Sequence, residues 1–285
     1  MIRDKKVAWF AMLPALVIFV IWYVIPVGKF FALSFTGYAG PALTDGQATL
    51  ATYTGILTDP YYLAVIRRTV VLGVVVAGAA VLLGYPLAYL IVFSRRWGTF
   101  VFLVTVSTMF VNPVASALGL RVMLTDSGML NEALTGAGLV DSPVTFIGSF
   151  SGVAIGLVHA IIPFMVLSLV PILDSVPKDC IAAARGLGAS RRYTFTRVIF
   201  PISVRGLLPA FLLAFAVTGG SFTTVVLLGA GRVGVLSLLI WQQTLKNLDY
   251  AASAALSVIL VAVILVPVAA GIWYANRMRR RLGHE

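Results

Sequence analysis

Long apolar stretches without a charged residue dominate the chain. About 20 apolar residues in a helix cross the hydrocarbon core of a bilayer, and an open sheet edge is excluded there because its unpaired backbone groups cost too much free energy. Each stretch holds 22 to 32 residues and is therefore long enough to cross. The stretches are residues 7–28, 69–94, 97–120, 142–173, 206–231 and 250–276. They predict six transmembrane helices, over about residues 9–34, 69–94, 97–120, 146–173, 206–229 and 250–276.

The polar segments between these spans are too short to hold another domain, so we expect a single transmembrane domain over residues 1–285. The first apolar stretch is longer than the core of a signal peptide, and no clear small-residue cleavage site follows it. We interpret it as a retained helix. A single cysteine, Cys180, excludes an internal disulfide and argues against a cysteine-based metal site. We expect no bound metal.

The composition agrees with a membrane protein, and the charges indicate its orientation. The chain is 60% hydrophobic and 11% charged, whereas soluble domains carry about 25% charged residues. With both termini in the cytoplasm, the cytoplasmic segments hold 15 of the 21 Lys and Arg residues and four of the ten acids. The whole formal charge of +11 then lies on that side, as the positive-inside rule expects. We expect these basic residues to face anionic membrane lipid and not nucleic acid, since no soluble domain presents a basic patch.

The sequence contains no recognisable catalytic machinery. Residues 229–234, GAGRVG, match the G-x-G-x-x-G pattern, but no strand–turn–helix unit surrounds them, and we expect a flexible turn. The phosphate-binding pattern G-x-x-x-x-G-K-[ST] does not occur in the sequence. Every acidic residue falls outside the six apolar stretches, so paired carboxylates for acid–base chemistry within the membrane are missing. We therefore expect neither an enzymatic activity nor a cofactor bound by this chain.

Several polar residues interrupt the spans. Asn112-Pro113 breaks a helix near the middle of span three, because proline frees a backbone carbonyl that needs a partner or a water-lined cavity. Span four contains His159, and span five contains GGSFTT at residues 219–224, which fits the interior of a helix bundle better than lipid. The candidates for lining a solute pathway are Asn112, His159, Ser221, Thr223 and Thr224, each of which fits an interhelical hydrogen bond equally well.

Small residues follow one face of span two. Ala80, Gly84 and Ala88 recur every four positions, which predicts a close approach of a neighbouring helix. On the outer side, residues 123–146 contain Gly, Asn and three acids, and we expect a short helix there.

A cytoplasmic segment, residues 174–205, connects spans four and five and contains the run AAARGLGAS. It predicts a short helix over residues 178–187 that ends in a sharp turn at Gly188. Ser190 is expected to cap a second short helix, and Pro201 marks the entry to span five. An amphipathic helix at the lipid headgroups would explain the arginines. Three consecutive alanines favour a closely docked protein partner instead, because a lipid-binding helix would gain from bulky apolar side chains.

The same segment resembles the EAA loop of permease subunits in binding-protein-dependent ABC importers. The usual form of that loop is E-A-A, three residues, G, nine residues and I-x-L-P. This chain has Ala182-Ala183-Ala184, Gly188 and Val198-Ile199-Phe200-Pro201 at these positions, so that the glutamate is replaced by Ala182. GYPLAY at 84–89, SGMLN at 127–131, PFMVL at 163–167 and VVLLG at 225–229 look like the spermidine/putrescine-type branch. The resemblance extends over nearly the full length.

The resemblance implies an all-α integral membrane protein with the type I ABC importer permease fold, six transmembrane helices and cytoplasmic N- and C-termini. It would be a multi-pass protein of the bacterial cytoplasmic (inner) membrane. A second permease subunit, which we expect to be a different chain, would complete the solute pathway, and an external solute-binding protein would deliver the solute. A cytoplasmic ABC ATPase dimer would bind ATP and Mg²⁺ and dock on the loop 178–201. The implied ATPase-coupling residues are Ala182, Ala183, Ala184, Arg185, Gly188, Ala189, Ser190 and Pro201.

The solute is left open by the resemblance. Polyamine permeases of this type tend to have an acid in span five near the position of Ser221, where this chain has none. The partner subunit could supply the carboxylate for a polyamine. The alternative is another small polar organic molecule, which could be anionic, neutral or zwitterionic. The alternative function is a stand-alone secondary transporter or channel, which would be expected to contain intramembrane ionisable residues or inverted repeats.

Overall fold

The computed structural model of the chain describes residues 5–36 and 49–281, and these residues form helices. The terminal residues 1–4 and 282–285, which are predicted to be cytoplasmic, and residues 37–48 of the predicted outer polar stretch lie outside the described residues. The helices begin and end as follows: α1 Lys5–Phe19, α2 Ile25–Leu33, α3 Ala51–Thr58, α4 Pro60–Phe93, α5 Gly98–Thr108, α6 Pro113–Met123, α7 Met129–Gly136, α8 Phe150–Asp174, α9 Lys178–Gly186, α10 Arg191–Thr194, α11 Phe200–Gly220, α12 Thr223–Gly229, α13 Leu236–Leu245 and α14 Tyr250–Arg281.

Four of the described helices are long and apolar enough to cross a membrane alone, and they cover Met12–Leu33, Pro60–Phe93, Phe150–Asp174 and Tyr250–Ala275. Two bent pairs bring the number of candidate spans to six. Gly98–Thr108 and Pro113–Met123 meet at 103°, and Arg191–Val204 and Gly206–Gly220 meet at 58°. The prediction of an all-helical membrane protein is confirmed, and the sharpness of these two bends is a feature that the apolar stretches did not reveal.

Among the described residues, two π-helices end two positions before a proline. Val20–Val24 precedes Pro26, and Phe195–Ile199 precedes Pro201. In each case the residue after the π-helix donates its N–H to the carbonyl five residues earlier. The cause is the same at both places, because proline lacks the N–H that would bond the carbonyl four residues back.

The chain divides into two compact units, of which the first comprises Met1–Ala64 and Leu239–Val261. Within this unit, the Tyr53 hydroxyl donates to Ser34 Oγ at 2.7 Å. The loop before α14 is held by Asp249, whose carboxylate accepts from the Ala252 N–H at 2.9 Å. Thr244 and Ser253 also share a hydrogen bond between their hydroxyl groups. These contacts fasten the ends of the helices in the first unit.

The second unit comprises Val65–Leu238 and Ala262–Glu285, and its core contains the predicted small-residue face of α4. Ala80, Gly84 and Ala88 are all buried there. A Cβ atom on Gly84 would lie 2.8 Å from Met165 Cγ on α8. The four-residue spacing thus lets α4 and α8 approach closely, as the sequence predicted.

The GAGRVG segment forms a tight turn after α12. Ala230 and Gly231 have positive φ angles of 44° and 74°, and the Arg232 N–H donates to the Gly229 carbonyl at 2.8 Å. These values correspond to a type I′ turn, in which both central residues are left-handed. The segment is surrounded by helices, so the structure supports the interpretation as a turn.

Asn131 holds the outer segment between α6 and α8. Its side chain is 1% exposed and donates to the carbonyls of Thr125 and Val144, both at 3.0 Å. It also accepts the Val144 N–H at 2.8 Å. The predicted short helix of this segment is present as α7, and Asn131 lies in its first turn.

Candidate functional site

The first site is formed around the 103° bend of span three. Asn112 caps the second half of the span, α6, because its side-chain oxygen accepts the Val114 N–H at 2.8 Å. Pro113 occupies the first position of α6, where its missing N–H costs nothing. The Asn-Pro pair therefore ends one helix and starts the next, and it turns the chain toward α8 and α12.

A cavity of about 130 Å³ lies inside this bend. It is lined by Thr108, Met109, Val111, Pro113, Ser116, Ala117, Leu120, Gly156, His159, Ala160, Pro163, Phe164 and Thr224. The polar groups in this set are three hydroxyls and one imidazole, on α5, α6, α8 and α12. Within the second unit, four helices thus contribute polar side chains to one space.

Two of the polar lining residues, His159 and Ser116, contact each other. Ser116 Oγ lies 3.1 Å from His159 Nε2, so the two side chains share a hydrogen bond between α6 and α8. The direction of the hydrogen bond depends on the histidine tautomer. Both groups can donate and accept, so the pair can rearrange its hydrogen bonds around a polar solute.

Thr224 reaches the cavity because span five is broken. The prediction placed this span over residues 206–229, whereas α11 ends at Gly220 and α12 begins at Thr223. Gly156 of α8 lets α12 come close, since a Cβ atom at this position would lie 2.8 Å from Thr224 Cγ2 and would clash with Leu228. The absent side chain at Gly156 therefore sets the width of this side of the cavity.

The five candidate pathway residues occupy three kinds of position. His159 and Thr224 line the cavity, and Asn112 caps α6. Ser221 ends α11, where its hydroxyl donates to the Val217 carbonyl at 2.9 Å, and Thr223 opens α12. Sequence reasoning missed two lining hydroxyls, Thr108 and Ser116. Their positions just before and just after the Asn-Pro pair are the signal that could have found them.

The cavity lining contains no carboxylate, ammonium or guanidinium group among the residues that the structure describes. Its walls are otherwise apolar and include Met109, Pro163 and Phe164. Chemically, the space can bind a small molecule through hydroxyl and imidazole hydrogen bonds and through apolar contact. It provides no fixed opposite charge for a buried ion.

The second candidate site is the cytoplasmic segment. α9 covers Lys178–Gly186, and Gly188 follows with a φ of +83°, a conformation that favours glycine. Ser190 then caps α10, as its hydroxyl accepts the Tyr193 N–H at 3.2 Å. The predicted helix, turn and cap are all present in the structure.

One edge of α9 is buried and the rest is open. Ile181 packs inside, whereas Ala182 and Ala183 are exposed and Leu187 is 90% exposed. An apolar side chain as open as Leu187, beside two methyl groups, favours a covering partner. Of the other predicted coupling residues, Arg185, Gly188, Ser190 and Pro201 are exposed and Ala184 and Ala189 are half-buried.

Comparisons with known proteins agree with this architecture. The sequence model of a family described as "Binding-protein-dependent transport system inner membrane component" matches residues 80–283. The chain is 31% identical over 216 residues to the spermidine/putrescine transport system permease protein PotB of Escherichia coli (strain K12), covering 75% of this chain and 78% of the relative. It is 28% identical over 243 residues to the sulfate transport system permease protein CysT of Salmonella typhimurium (strain LT2), covering 84% and 86%.

A solved structure shows the same fold. It is a bacterial alginate ABC transporter in complex with an alginate pentasaccharide-bound periplasmic protein, with a TM-score of 0.74 at 18% identity. The superposition covers 98% of this chain and 95% of the compared chain. At this identity the likeness shows the type I importer permease fold.

Proposed function

We infer the function of this chain from its family: it belongs to the inner membrane components of binding-protein-dependent transport systems. It is accordingly a permease subunit of an ABC importer, and this subunit is a non-catalytic component of the inner membrane.

We propose that the bent span three and the broken span five form this chain's half of the solute pathway. The observation that carries this proposal is the cavity at the bend, which Ser116, His159 and Thr224 line and in which Ser116 and His159 share a hydrogen bond. Broken helices with polar side chains at membrane depth are tolerated where they line a cavity. A second permease subunit, a different chain, provides the other half.

Replacing His159 with Phe tests the pathway. The ring size is kept approximately, but the hydrogen bond to Ser116 is lost and the cavity becomes more apolar. We expect a loss of solute uptake of tenfold or more in proteoliposomes that contain the whole transporter, with assembly of the complex unchanged. Phe110→Leu is a matched control, because Phe110 is 87% exposed and is not among the lining residues. Unchanged uptake by His159→Phe would contradict the proposal.

We propose that the exposed part of α9, with the turn at Gly188, docks on a cytoplasmic ABC ATPase dimer, which binds ATP and Mg²⁺. The small side chains allow close contact, and Leu187 supplies an apolar contact. Arg185 is placed to pair with an acidic group of the ATPase. The positive φ of Gly188 fixes the direction in which the chain leaves the docking helix.

Gly188→Val tests the docking, since a β-branched residue is strained at φ +83°. We expect ATP hydrolysis to continue while uptake per ATP falls. Gly138→Val is the matched control: Gly138 also has a positive φ, of 67°, and lies in the outer segment. A similar backbone strain outside the docking segment should leave uptake per ATP at the wild-type value. Equal losses in the two variants would mean that strain alone is responsible.

We propose that the solute is a small polar organic molecule, with a polyamine as the specific alternative. The relatives' names point to solutes of opposite charge, a polyamine for PotB and sulfate for CysT. The hydroxyl and imidazole groups in the cavity fit an uncharged or zwitterionic solute without a further partner. A polyamine would need carboxylates from the second subunit, because burying an unpaired ammonium is costly.

The associated external binding protein tests the solute class. Its ligands are screened by thermal shift against polyamines, amino acids, sugars and small organic anions, and the best ligand is then used in uptake assays with the reconstituted transporter. Uptake of an uncharged or zwitterionic ligand supports a small polar organic molecule as the solute, and uptake of a polyamine supports the polyamine alternative. Transport that persists without any ATPase would contradict the importer function and favour a stand-alone transporter.

A further inference from the structure

A buried hydrogen bond joins span two to the cytoplasmic start of span five. Tyr85 on α4 is 8% exposed, and its hydroxyl lies 2.7 Å from Ser203 Oγ, which is 1% exposed. Ser203 Oγ also donates to the Phe200 carbonyl at 3.2 Å. Either hydroxyl can be the donor in the Tyr85–Ser203 pair; while Ser203 donates its one hydrogen to the Phe200 carbonyl, Tyr85 donates to Ser203.

Aromatic rings surround the hydrogen bond. The Tyr85 ring lies 6.2 Å from the Phe195 ring and 5.9 Å from the Phe200 ring, with interplanar angles of 72° and 73°. Tyr89, one turn further along α4, lies 5.3 Å from Phe195 at 88°. These are edge-to-face arrangements, the favourable geometry for aromatic pairs. Two successive turns of α4 thus contact the chain that leaves the docking segment.

All of these partners lie on one side of the bend in span five. Phe195, Phe200 and Ser203 belong to Arg191–Val204, and the axis changes by 58° before Gly206–Gly220 begins. Beyond the bend the chain also packs on α8, since a Cβ atom on Gly206 would lie 2.5 Å from Ile172 Cγ2. The same half also packs on α4, since a Cβ atom on Gly73 would lie 2.8 Å from the Phe215 ring. The half before the bend therefore contacts α4 at Tyr85, and the half beyond it contacts both α4 and α8.

We propose that the Tyr85–Ser203 pair is the link that carries movement of the docking segment to span two. The half-span Arg191–Val204 begins with α10 and comes directly after α9 and its turn, and its π-helix carries Phe195 against α4. Because the bend separates this half-span from Gly206–Gly220, the contact with α4 is a second path from the docking segment into the membrane. Tyr85 and Ser203 are positioning residues that touch neither solute nor nucleotide. The inference rests on the proposed docking of the ATPase.

The test uses Tyr85→Phe, Ser203→Ala and the double variant in the complete transporter, reconstituted with its ATPase, second permease subunit and binding protein. ATP hydrolysis and solute uptake are measured together. We expect each single variant to assemble and hydrolyse ATP, with uptake per ATP lowered between about twofold and tenfold, the range that one hydrogen bond supplies. Two residues that act through one bond should give a double variant no worse than either single variant.

Tyr89→Phe is the matched control. It removes a hydroxyl from the same face of α4 but keeps the ring against Phe195, and no hydrogen bond of the Tyr89 hydroxyl occurs within residues 5–36 and 49–281. Uptake per ATP should stay at the wild-type value. The proposal is overturned if the control loses as much as Tyr85→Phe, if the single losses add in the double variant, or if uptake per ATP is unchanged.

Failure to assemble would also overturn the link, because the pair would then be a packing contact only. A different result would contradict the proposed function, namely the absence of ATP-dependent uptake by the wild-type transporter. If the wild type transports and all three variants keep its uptake per ATP, the importer function stands and the link does not.

Discussion

Adding one methyl group at Gly84 should separate α4 from α8, whereas the same change at Gly78 should not. A Cβ atom on Gly84 would lie 2.8 Å from Met165 Cγ and 3.7 Å from Leu169 Cδ1. Carbon atoms pack at roughly 3.5–4.0 Å, so the helices or Met165 must move by the better part of an ångström. At Gly78, on the same helix, no atom lies within 4 Å of the added carbon.

The comparison of the two variants isolates the packing cost. Alanine in a helix interior is favoured over glycine by about 0.5–1 kcal/mol, and this gain is common to both positions. Overpacking a filled site costs about 1–3 kcal/mol and applies to Gly84 alone. The difference in unfolding free energy between Gly84→Ala and Gly78→Ala should therefore be about 1–3 kcal/mol.

Thermal unfolding of the purified full-length chain in one detergent, at one scan rate, measures the difference. For chains of 150–250 residues, each kcal/mol shifts Tm by about 2–4 °C, so Gly84→Ala should melt several degrees below Gly78→Ala. Gly78→Ala should melt at or slightly above the wild-type temperature. A Gly84→Ala protein as stable as Gly78→Ala would refute the close approach of α4 and α8.

Three further changes test other contacts of the second unit. Asn131→Ala removes three hydrogen bonds from the outer segment and should lower the unfolding free energy by about 1–3 kcal/mol, seen as a lower Tm and faster proteolysis between α6 and α8. Thr69→Val leaves the buried Leu236 N–H, now bonded at 2.9 Å, without its acceptor and should cost about 1–3 kcal/mol in the same melting assay. Gly156→Ala drives a methyl group into Leu228, whereas in Gly119→Ala the added carbon meets open space. In the reconstituted transporter, uptake per folded complex should therefore be lower for Gly156→Ala than for Gly119→Ala. Wild-type behaviour of any of these variants would contradict the contact concerned.

The apolar stretches predicted the spans well because bilayer thickness sets a minimum helix length that the sequence displays directly. The bends were harder to predict. Asn112-Pro113 indicated a break in span three but not its 103° angle, which depends on how α6 packs against α8 and α12. In span five, the break after Gly220 has no proline to signal it, and GGSFTT suggested only a polar face.

Only part of the candidate site could be predicted from the sequence. Polar residues at membrane depth are rare, so His159 and Thr224 stood out in the sequence. Ser116 did not stand out, because a serine near a helix start is common and its partner is 43 positions away. The docking segment was predicted best, since helix caps and left-handed glycines depend on local sequence, as Gly188 and Ser190 show.

α8 connects the parts of the second unit that these proposals use. It meets α12 at Gly156, which borders the cavity, and it meets α11 beyond the bend, where Gly206 faces Ile172. Met165 of α8 also packs against Gly84 of α4. At each meeting point one partner is a glycine, so the side chain of the other helix packs directly on its backbone. Such contacts are intolerant of separation, because dispersion is lost within an ångström. α8 is therefore the element against which the bent spans three and five would move, and the Tyr85–Ser203 pair joins the half-span Arg191–Val204 to α4.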